Sequence, residues 1–256
     1  MNRIFYKHES LDYSQQASYF LVRKSIELVK DSFYDSIPNV SEKNIKFLSY
    51  NRRWYRQHRL KFLLFCQKNN LFEENLISYN FDFDTNEMPG IRDSLTQKET
   101  VIFDKLLKIP KRILDYEDFN TLEGFQYETP EHYQKTFFSI VTETNFYNNK
   151  KITEKTFKPL CHYHMFIVLG SPKTLEYLKG VGLKTFNKFW DESYDGETDS
   201  DKRMNKVFNL VLYFNSLSKS DLSQLYLDCK DILIHNYNLM LKYGKRGERY
   251  LPDEQQ

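Results

Sequence analysis

Phe137-Phe-Ser-Ile-Val-Thr142 is a β-rich run that ends in a polar loop, and the loop leads to Thr153-Glu-Lys-Thr-Phe-Lys158. Apolar and β-branched residues dominate the first run, as they do in buried strands. Thr153 is of a type that caps helices, so a helix is predicted over Thr153–Tyr163. Phe166-Ile-Val-Leu169 follows as another buried strand. A strand, a helix and a second strand at this spacing predict a parallel, Rossmann-like α/β sheet.

The same alternation extends towards the N-terminus. Ile45–Tyr50 is a short strand-like run, and His58–Asn69 reads as an apolar helix. Leu76–Asp84 alternates between apolar and polar residues, which predicts a half-buried strand. A helix is predicted over Thr96–Leu107, whereas residues 85–130 otherwise show little regular pattern. Apolar residues at helical spacing also predict a helix over residues 10–35.

Helices are predicted towards the C-terminus as well. Ser171 opens one of them, and apolar stripes at helical spacing follow over residues 204–211 and 222–241. Ser218-x-x-Asp221 forms a capping box before the second stripe. We therefore expect a helical N-terminal segment (residues 1–44), a Rossmann-like domain (residues 45–202) and a C-terminal helical extension (residues 203–256).

Composition limits the classes of protein that this chain can belong to. Its 256 residues, 40% of them hydrophobic, can bury a sizeable core without disulfides, so the three cysteines are expected to be free thiols. A net charge of +2 gives a weak long-range field and argues against nucleic acid as a partner. Apolar runs are too short for a membrane span, and Met1–His8 lacks the apolar region of a signal peptide. A cytoplasmic location is expected.

The segment that begins at Thr153 carries the sharpest chemical signal. A helix N-terminus attracts phosphate through its free N–H groups and its dipole. Glu154 and Lys155 lie in the first turn, and Lys158 lies four residues after Glu154, on the same face. A glutamate there can accept hydrogen bonds from ribose hydroxyls while lysines neutralise phosphate. An ordinary capped helix with a solvated charge pair is the alternative interpretation of these residues taken alone.

Three segments together resemble the donor-binding domain of α-1,3-fucosyltransferases and related glycosyltransferases: Val141-Thr-Glu-Thr-Asn145, Ile152-Thr-Glu-Lys155 and Phe166-Ile-Val-Leu-Gly-Ser-Pro172. The resemblance continues through residues 182–195. It also reaches back to Phe47-Leu-Ser-Tyr-Asn51 and to Arg59, and so covers residues 45–195, most weakly in residues 85–130. The resemblance implies one half of a GT-B fold and metal-independent transfer of a sugar from a nucleotide-diphosphate donor, with no further cofactor required.

The resemblance also implies roles for individual residues at a donor site. Glu154 would hold the ribose and Lys155 a phosphate oxygen, while the planar fork of Arg59 would grip the pyrophosphate. Glu143 and Asn145 would lie near the sugar or ribose, and Asn51 and Thr153 would border the site. Lys158 is added from helix spacing. No residue is assigned as the catalytic base.

The short segment before the first donor-domain strand leaves two hypotheses of function open. Its 44 residues are too few for a second sheet domain, so the acceptor half is expected to be a helical element or a partner subunit. As an enzyme, the chain would transfer sugar to a glycan, lipid or protein acceptor. As an inactive glycosyltransferase-like domain, it would serve as a structural subunit of a larger assembly. The 16% aromatic share is typical of AT-rich phage genomes, so that assembly could be a virus particle.

Four other patterns have weaker functional interpretations. Asp82-Phe-Asp84 has the spacing of a Mn²⁺ or Mg²⁺ site, but alternation places both aspartates on the outer face of a strand. Cys161-His-Tyr-His164 suggests zinc, although local packing explains it better. The basic run Asn51–Arg59 could stack on single-stranded nucleic acid, but an anion-binding loop explains it more simply. Asp191, Glu192 and Asp195 are expected to form a solvated loop rather than a glycosidase pair.

Overall fold

A four-stranded parallel sheet forms the centre of the protein. The computed structural model describes residues 37–51, 54–81, 88–114, 129–147 and 152–248. The strands are β1 (Ile45–Tyr50), β2 (Leu76–Ser78), β3 (Thr136–Thr142) and β4 (Met165–Leu169), and their order across the sheet is β2-β1-β3-β4. Every neighbouring pair is parallel. The predicted Rossmann-like α/β class is confirmed.

The strands are buried to different extents. All seven residues of β3 and all five of β4 are buried, as expected for parallel strands covered on both faces. Strand β2 is shorter than the predicted Leu76–Asp84, because Tyr79 leaves the parallel ladder and forms an isolated antiparallel bridge with Arg112. Residues 82–87, including Asp82 and Asp84, lie outside the described residues.

Helices flank the sheet, and those predicted from His58, Thr96 and Thr153 begin within one residue of these positions, whereas the helices at Met88 and Pro130 lie in the segment that shows little regular pattern. The capping box of Thr96 and Glu99 opens α3, as the pattern of that segment requires. Helices with residues before position 200 are α1 (Gln57–Lys68), α2 (Met88–Asp93), α3 (Gln97–Leu106), α4 (Pro130–Lys135), α5 (Glu154–Cys161) and α6 (Thr174–Gly180), with 3₁₀ turns at Val40–Glu42 and Ser193–Gly196.

Three helices follow near the C-terminus: α7 (Ser200–Ser216), α8 (Lys219–Asp228) and α9 (Lys230–Glu248). The predicted capping box is present, since Ser218 Oγ accepts from Asp221 N and the Asp221 carboxylate accepts from Ser218 N. The apolar stripe of residues 222–241 is divided between α8 and α9, which meet at Cys229. Side chains of these helices belong to the same core as the strands, and the predicted boundary at residues 202–203 lies inside α7.

Two predictions concern the N-terminal segment and membranes. The helix predicted over residues 10–35 lies outside the described residues. Within the described ranges, no helix is both long enough and apolar enough to cross a membrane.

The strand order creates a crevice at one edge of the sheet. From β1 the chain passes to β2 on one side, and later to β3 on the other side of β1. The connections therefore diverge between β1 and β3. In open α/β sheets, ligands bind outside the carboxyl ends of the strands at such a switch point. The first turns of α1 and α5 follow β1 and β3 in the chain and lie at this edge.

Candidate functional site

Glu143 is the centre of a buried network at the carboxyl end of β3. Its carboxylate accepts hydrogen bonds from Thr144 N at 2.9 Å, Thr153 N at 2.9 Å, Thr153 Oγ1 at 2.6 Å and Thr156 Oγ1 at 2.6 Å. The side chain is 1% exposed. Such a set of donors stabilises a buried carboxylate and leaves little of it to meet a ligand. Glu143 therefore joins β3 to the start of α5.

Thr153 is the N-cap residue of α5, as predicted, but its hydroxyl does not cap the helix itself. The hydroxyl donates to the Glu143 carboxylate, which also accepts from the N–H of Thr153. The carboxylate of a residue ten positions earlier thus performs the capping function. Sequence patterns of capping consider neighbouring residues and do not reveal it.

Asn51 and Arg59 connect β1, α1 and β3. Asn51 Oδ1 accepts from Thr142 Oγ1 at 2.9 Å, and Asn51 Nδ2 donates to the carbonyl of Arg59 at 3.3 Å. Arg59 Nη2 donates to the carbonyl of Thr142 at 2.9 Å, and the residue is 2% exposed. The structure therefore brings both residues to the predicted edge, with the guanidinium inside the fold. Pyrophosphate binding by Arg59 stays a prediction.

Two further side chains of α1 and its N-cap hold the loop after β3. Arg56 Nη1 donates to the carbonyl of Thr144 at 2.7 Å, and His58 Nε2 contacts the carbonyl of Glu143 at 2.8 Å. Together with the bond from Arg59 to Thr142, these contacts bind the carbonyls of three consecutive residues, 142–144. Burial lowers the pKa of His58 to about 3. The imidazole is neutral at physiological pH and donates from Nε2.

Arg203, on α7, also binds the loop after β3. It is 2% exposed, and its Nη2 donates to the carbonyl of Phe146 at 2.6 Å. Sequence reasoning missed both Arg203 and His58. Each lies just before the first apolar residue of a helical stripe, where the pattern marks the core residues that follow and gives no sign that a cation or imidazole faces the sheet edge.

Lys155 and Lys158 are partly exposed cations of the site. Lys155 lies in the first turn of α5, and Lys158 lies one turn further on. The Nζ of Lys158 is 5.9 Å from the ring centroid of Tyr50, the last residue of β1. Lys158 therefore reaches from α5 towards the end of the neighbouring strand, across the crevice. A ligand at this edge would meet both lysines.

The remaining predicted residues occupy the same edge in backbone position. Glu154 is the first residue of α5, and its side chain is outside the described part of the structure. Asn145 lies on the loop after β3, is partly buried, and its carbonyl accepts from Ser171 Oγ at 3.3 Å. Ser171 follows β4, so this contact extends the network to a third strand end.

A recess adjoins the first turns of α1. It has a volume of about 330 Å³ and is lined by Tyr55, Gln57, Leu60, Lys61 and residues of α2 and the segment after it. Gln57 Oε1 also accepts from Tyr147 Oη at 2.6 Å, and Tyr147 is 40% exposed. The recess combines apolar walls with amide and aromatic groups.

The structure explains the rival metal motif as packing. His164 Nδ1 bonds to Ser139 Oγ at 2.8 Å and its Nε2 contacts the carbonyl of Thr136 at 2.8 Å, at the edge opposite the site. Cys161 is buried and free. In the ranges that the structure describes, no group of three or more His, Cys, Asp or Glu side chains could hold a metal ion.

The carboxylates after Trp190 are not all solvated, so that part of the prediction is wrong. Asp191 is exposed, but Glu192 accepts from Thr185 Oγ1 at 2.6 Å and from the N–H of Phe186 at 2.7 Å. Asp195 accepts from the first N–H groups of α6. Burial raises the pKa values of Glu192 and Asp195. Both carboxylates organise local structure, since they satisfy backbone donors of a loop and a helix start.

Comparison with known proteins leaves the interpretation to the site itself. No protein-family model, curated protein or solved structure matches this chain.

Proposed function

We propose that the chain binds the diphosphate of a nucleotide sugar at the edge between β1 and β3, as a glycosyltransferase or a module of one. One observation carries the proposal. The strand order changes direction where α1 and α5 begin, and Lys155 and Lys158 lie there partly exposed. A switch point with helix N-termini and cations is a suitable environment for a diphosphate.

Lys155 and Lys158 would supply most of the charge that meets the ligand. Arg56 and Arg59 donate to loop carbonyls. Their guanidinium groups also raise the electrostatic potential near these carbonyls. A dianion at the surface, a few ångströms away, would be attracted by this potential. Glu143 is surrounded by donors and would oppose the ligand little. Positive groups that neutralise a departing diphosphate lower the barrier to sugar transfer without requiring a metal ion.

The recess beside α1 supports a ligand larger than diphosphate. Its volume of about 330 Å³ is enough for a base or one sugar ring, and it opens next to the first turn of α1. Tyr55 offers an aromatic face, and Gln57 offers an amide that can read hydroxyl or base edges. We assign the diphosphate to the lysines, and one of the two ring-bearing ends of the donor to this recess.

A structural role is the second candidate, and the buried network favours it. Asn51, Arg59 and Glu143 all hydrogen-bond to protein groups, as they would in a scaffold without a ligand. In this case the chain would be a stoichiometric subunit of a larger assembly.

Calorimetric titration of the purified chain tests the proposed function. GDP, UDP and their common sugar conjugates are titrated with EDTA and, separately, with Mn²⁺. The proposal predicts saturable binding of at least one nucleotide diphosphate in EDTA. Binding that requires Mn²⁺ would contradict the metal-independent mechanism and direct attention to Asp82 and Asp84. Absence of binding under both conditions would refute the proposal and favour the structural subunit, which a pull-down would then test.

A further inference from the structure

Arg203 joins three separate backbone segments at the carboxyl edge of the sheet. Its Nε donates to the carbonyl of Gly170 at 3.1 Å, Nη1 to Glu197 at 2.7 Å and Nη2 to Phe146 at 2.6 Å. Gly170 follows β4, residue 197 precedes α7, and residue 146 lies on the loop after β3. The guanidinium carbon also lies 4.3 Å from the centroid of the Phe146 ring.

The loop that Arg203 holds is connected to the start of α5. The Phe146 ring stacks on His58 with centroids 5.2 Å apart, so the ring is fixed from α1 as well as from α7. Glu143, three residues earlier on the same loop, bonds to Thr153 and Thr156 of the first turn of α5. A shift of the loop would therefore move the helix start that carries Lys155.

We infer that Arg203 is a positioning residue for the anion site: it holds residues 142–147 in place and, through Glu143, fixes the first turn of α5. This inference rests on the proposed function of that edge. Arg203 is 2% exposed and acts from beneath the site rather than on the ligand. Through Arg203, helix α7 contributes to the site, although Arg203 lies beyond the predicted Rossmann-like segment (residues 45–202).

A guanidinium group suits this positioning role better than an ammonium group or an apolar side chain would. The three acceptors are neutral carbonyls that point from different directions, and a planar guanidinium fork can meet them together. A lysine would present a single ammonium group. For stability alone, an apolar side chain in a buried position is often as good as a cation. The buried cation therefore favours a positional role, in which three segments keep one arrangement.

Hydrogen exchange without ligand tests the hold on the loop. In Arg203→Met and Arg203→Lys, amides of residues 143–147 and 155–158 should exchange about tenfold faster or more, while amides of the β3 strand interior change little. Arg92→Met is the matched control, because Arg92 forms a surface ion pair with Asp104. It should leave both segments unchanged. Equal exchange in all variants and the wild type would overturn the inference.

Nucleotide binding tests the consequence of that hold. Arg203→Ala should weaken diphosphate binding by about tenfold or more, and guanidinium chloride at a few tens of millimolar should restore part of the affinity, whereas NaCl should not. Restoration by guanidinium would separate positioning from general loss of fold, which added salt does not repair. Wild-type affinity in Arg203→Ala would overturn the inference. Absence of binding by the wild type would refute the proposed function instead, and the exchange data would still decide whether Arg203 holds the loop.

Discussion

The carboxylate of Glu143 bonds to both donor groups of Thr153, to the N–H at 2.9 Å and to the hydroxyl at 2.6 Å. This pair, ten positions apart in the sequence, connects the end of β3 with the start of α5. The contact fixes where α5 begins relative to the sheet, and so fixes the positions of Lys155 and Lys158. The predicted site thus depends on a buried acid that the resemblance assigned to the ligand.

Replacement of Glu143 should reduce stability strongly. Glu143→Gln keeps the shape but removes the charge and one acceptor from a site with four donor contacts. The free energy of unfolding should fall by about 2–4 kcal/mol. Urea denaturation measures it, with the exposed Glu176→Gln as control. A loss below about 0.5 kcal/mol, the usual range for surface changes, would show that the network is not needed for the fold.

A side chain at Gly170 should destabilise the fold. A Cβ there would lie 3.0 Å from Val168 Cγ1 and 3.4 Å from Glu143 Cβ. Gly170→Ala should therefore cost about 1–3 kcal/mol and displace Glu143. Gly180→Ala is the control, because a Cβ at Gly180 meets nothing within 4 Å. In thermal denaturation, the melting temperature of Gly170→Ala should be clearly lower than that of Gly180→Ala. Equal melting temperatures would contradict the packing described.

Acid should destabilise the protein through its buried histidines. Burial lowers the pKa of His58 to about 3 and holds the pKa of His164 well below its usual value. The unfolded state takes up protons near pH 6.5 and the folded state does not, so stability falls as the pH drops from about 6.5 towards 3. His58 alone should cost about 2–3 kcal/mol at pH 4.5.

Urea denaturation of the wild type and His58→Gln at pH 7.5 and pH 4.5 measures this cost. The variant should lose less stability between the two pH values, whatever its stability at pH 7.5. An identical loss in both proteins would contradict the assignment of a neutral, buried His58.

Lys43 should make the stability of the protein depend on pH in the alkaline range, above about pH 7. Its Nζ donates to the carbonyls of Tyr133 and Thr136, and burial lowers its pKa to about 7. Between about pH 7 and pH 10 the unfolded chain holds a proton that the folded protein has lost, so stability rises with pH. The wild type should gain about 2–3 kcal/mol relative to Lys43→Met between pH 7 and pH 9 in urea denaturation. A pH-independent difference would contradict the lowered pKa.

The sequence predicted the sheet better than the site. Continuous apolar runs such as Met165–Leu169 identify buried parallel strands without further information, and the capping box at Ser218 is a local pattern. The roles of Glu143 and Arg203 depend on partners 10 and 57 residues away. Local periodicity contains no information on such contacts. For the same reason, the sequence predicts a solvated Asp195, whereas the structure shows that this residue caps α6.

The sequence also does not show which cations are buried in the fold and which are exposed at the site. Arg59 and Lys155 read alike as phosphate-binding groups, yet Arg59 lies inside the fold on a carbonyl and Lys155 is partly exposed. Burial distinguishes them, and it follows from the position of Arg59 beside the end of β3 rather than from residue type. Variants of Arg59 would therefore disturb the fold and the site together, whereas variants of Lys155 and Lys158 test the site.

Calorimetric titration of Lys155→Gln/Lys158→Gln with the tightest-binding nucleotide diphosphate tests the central claim most directly. The matched control is Lys219→Gln, an exposed lysine at the start of α8. The account predicts that the double variant loses at least tenfold in affinity, about 1.4 kcal/mol, at unchanged melting temperature, while the control binds as the wild type does. Equal affinity in all three proteins would contradict a diphosphate site between β1 and β3.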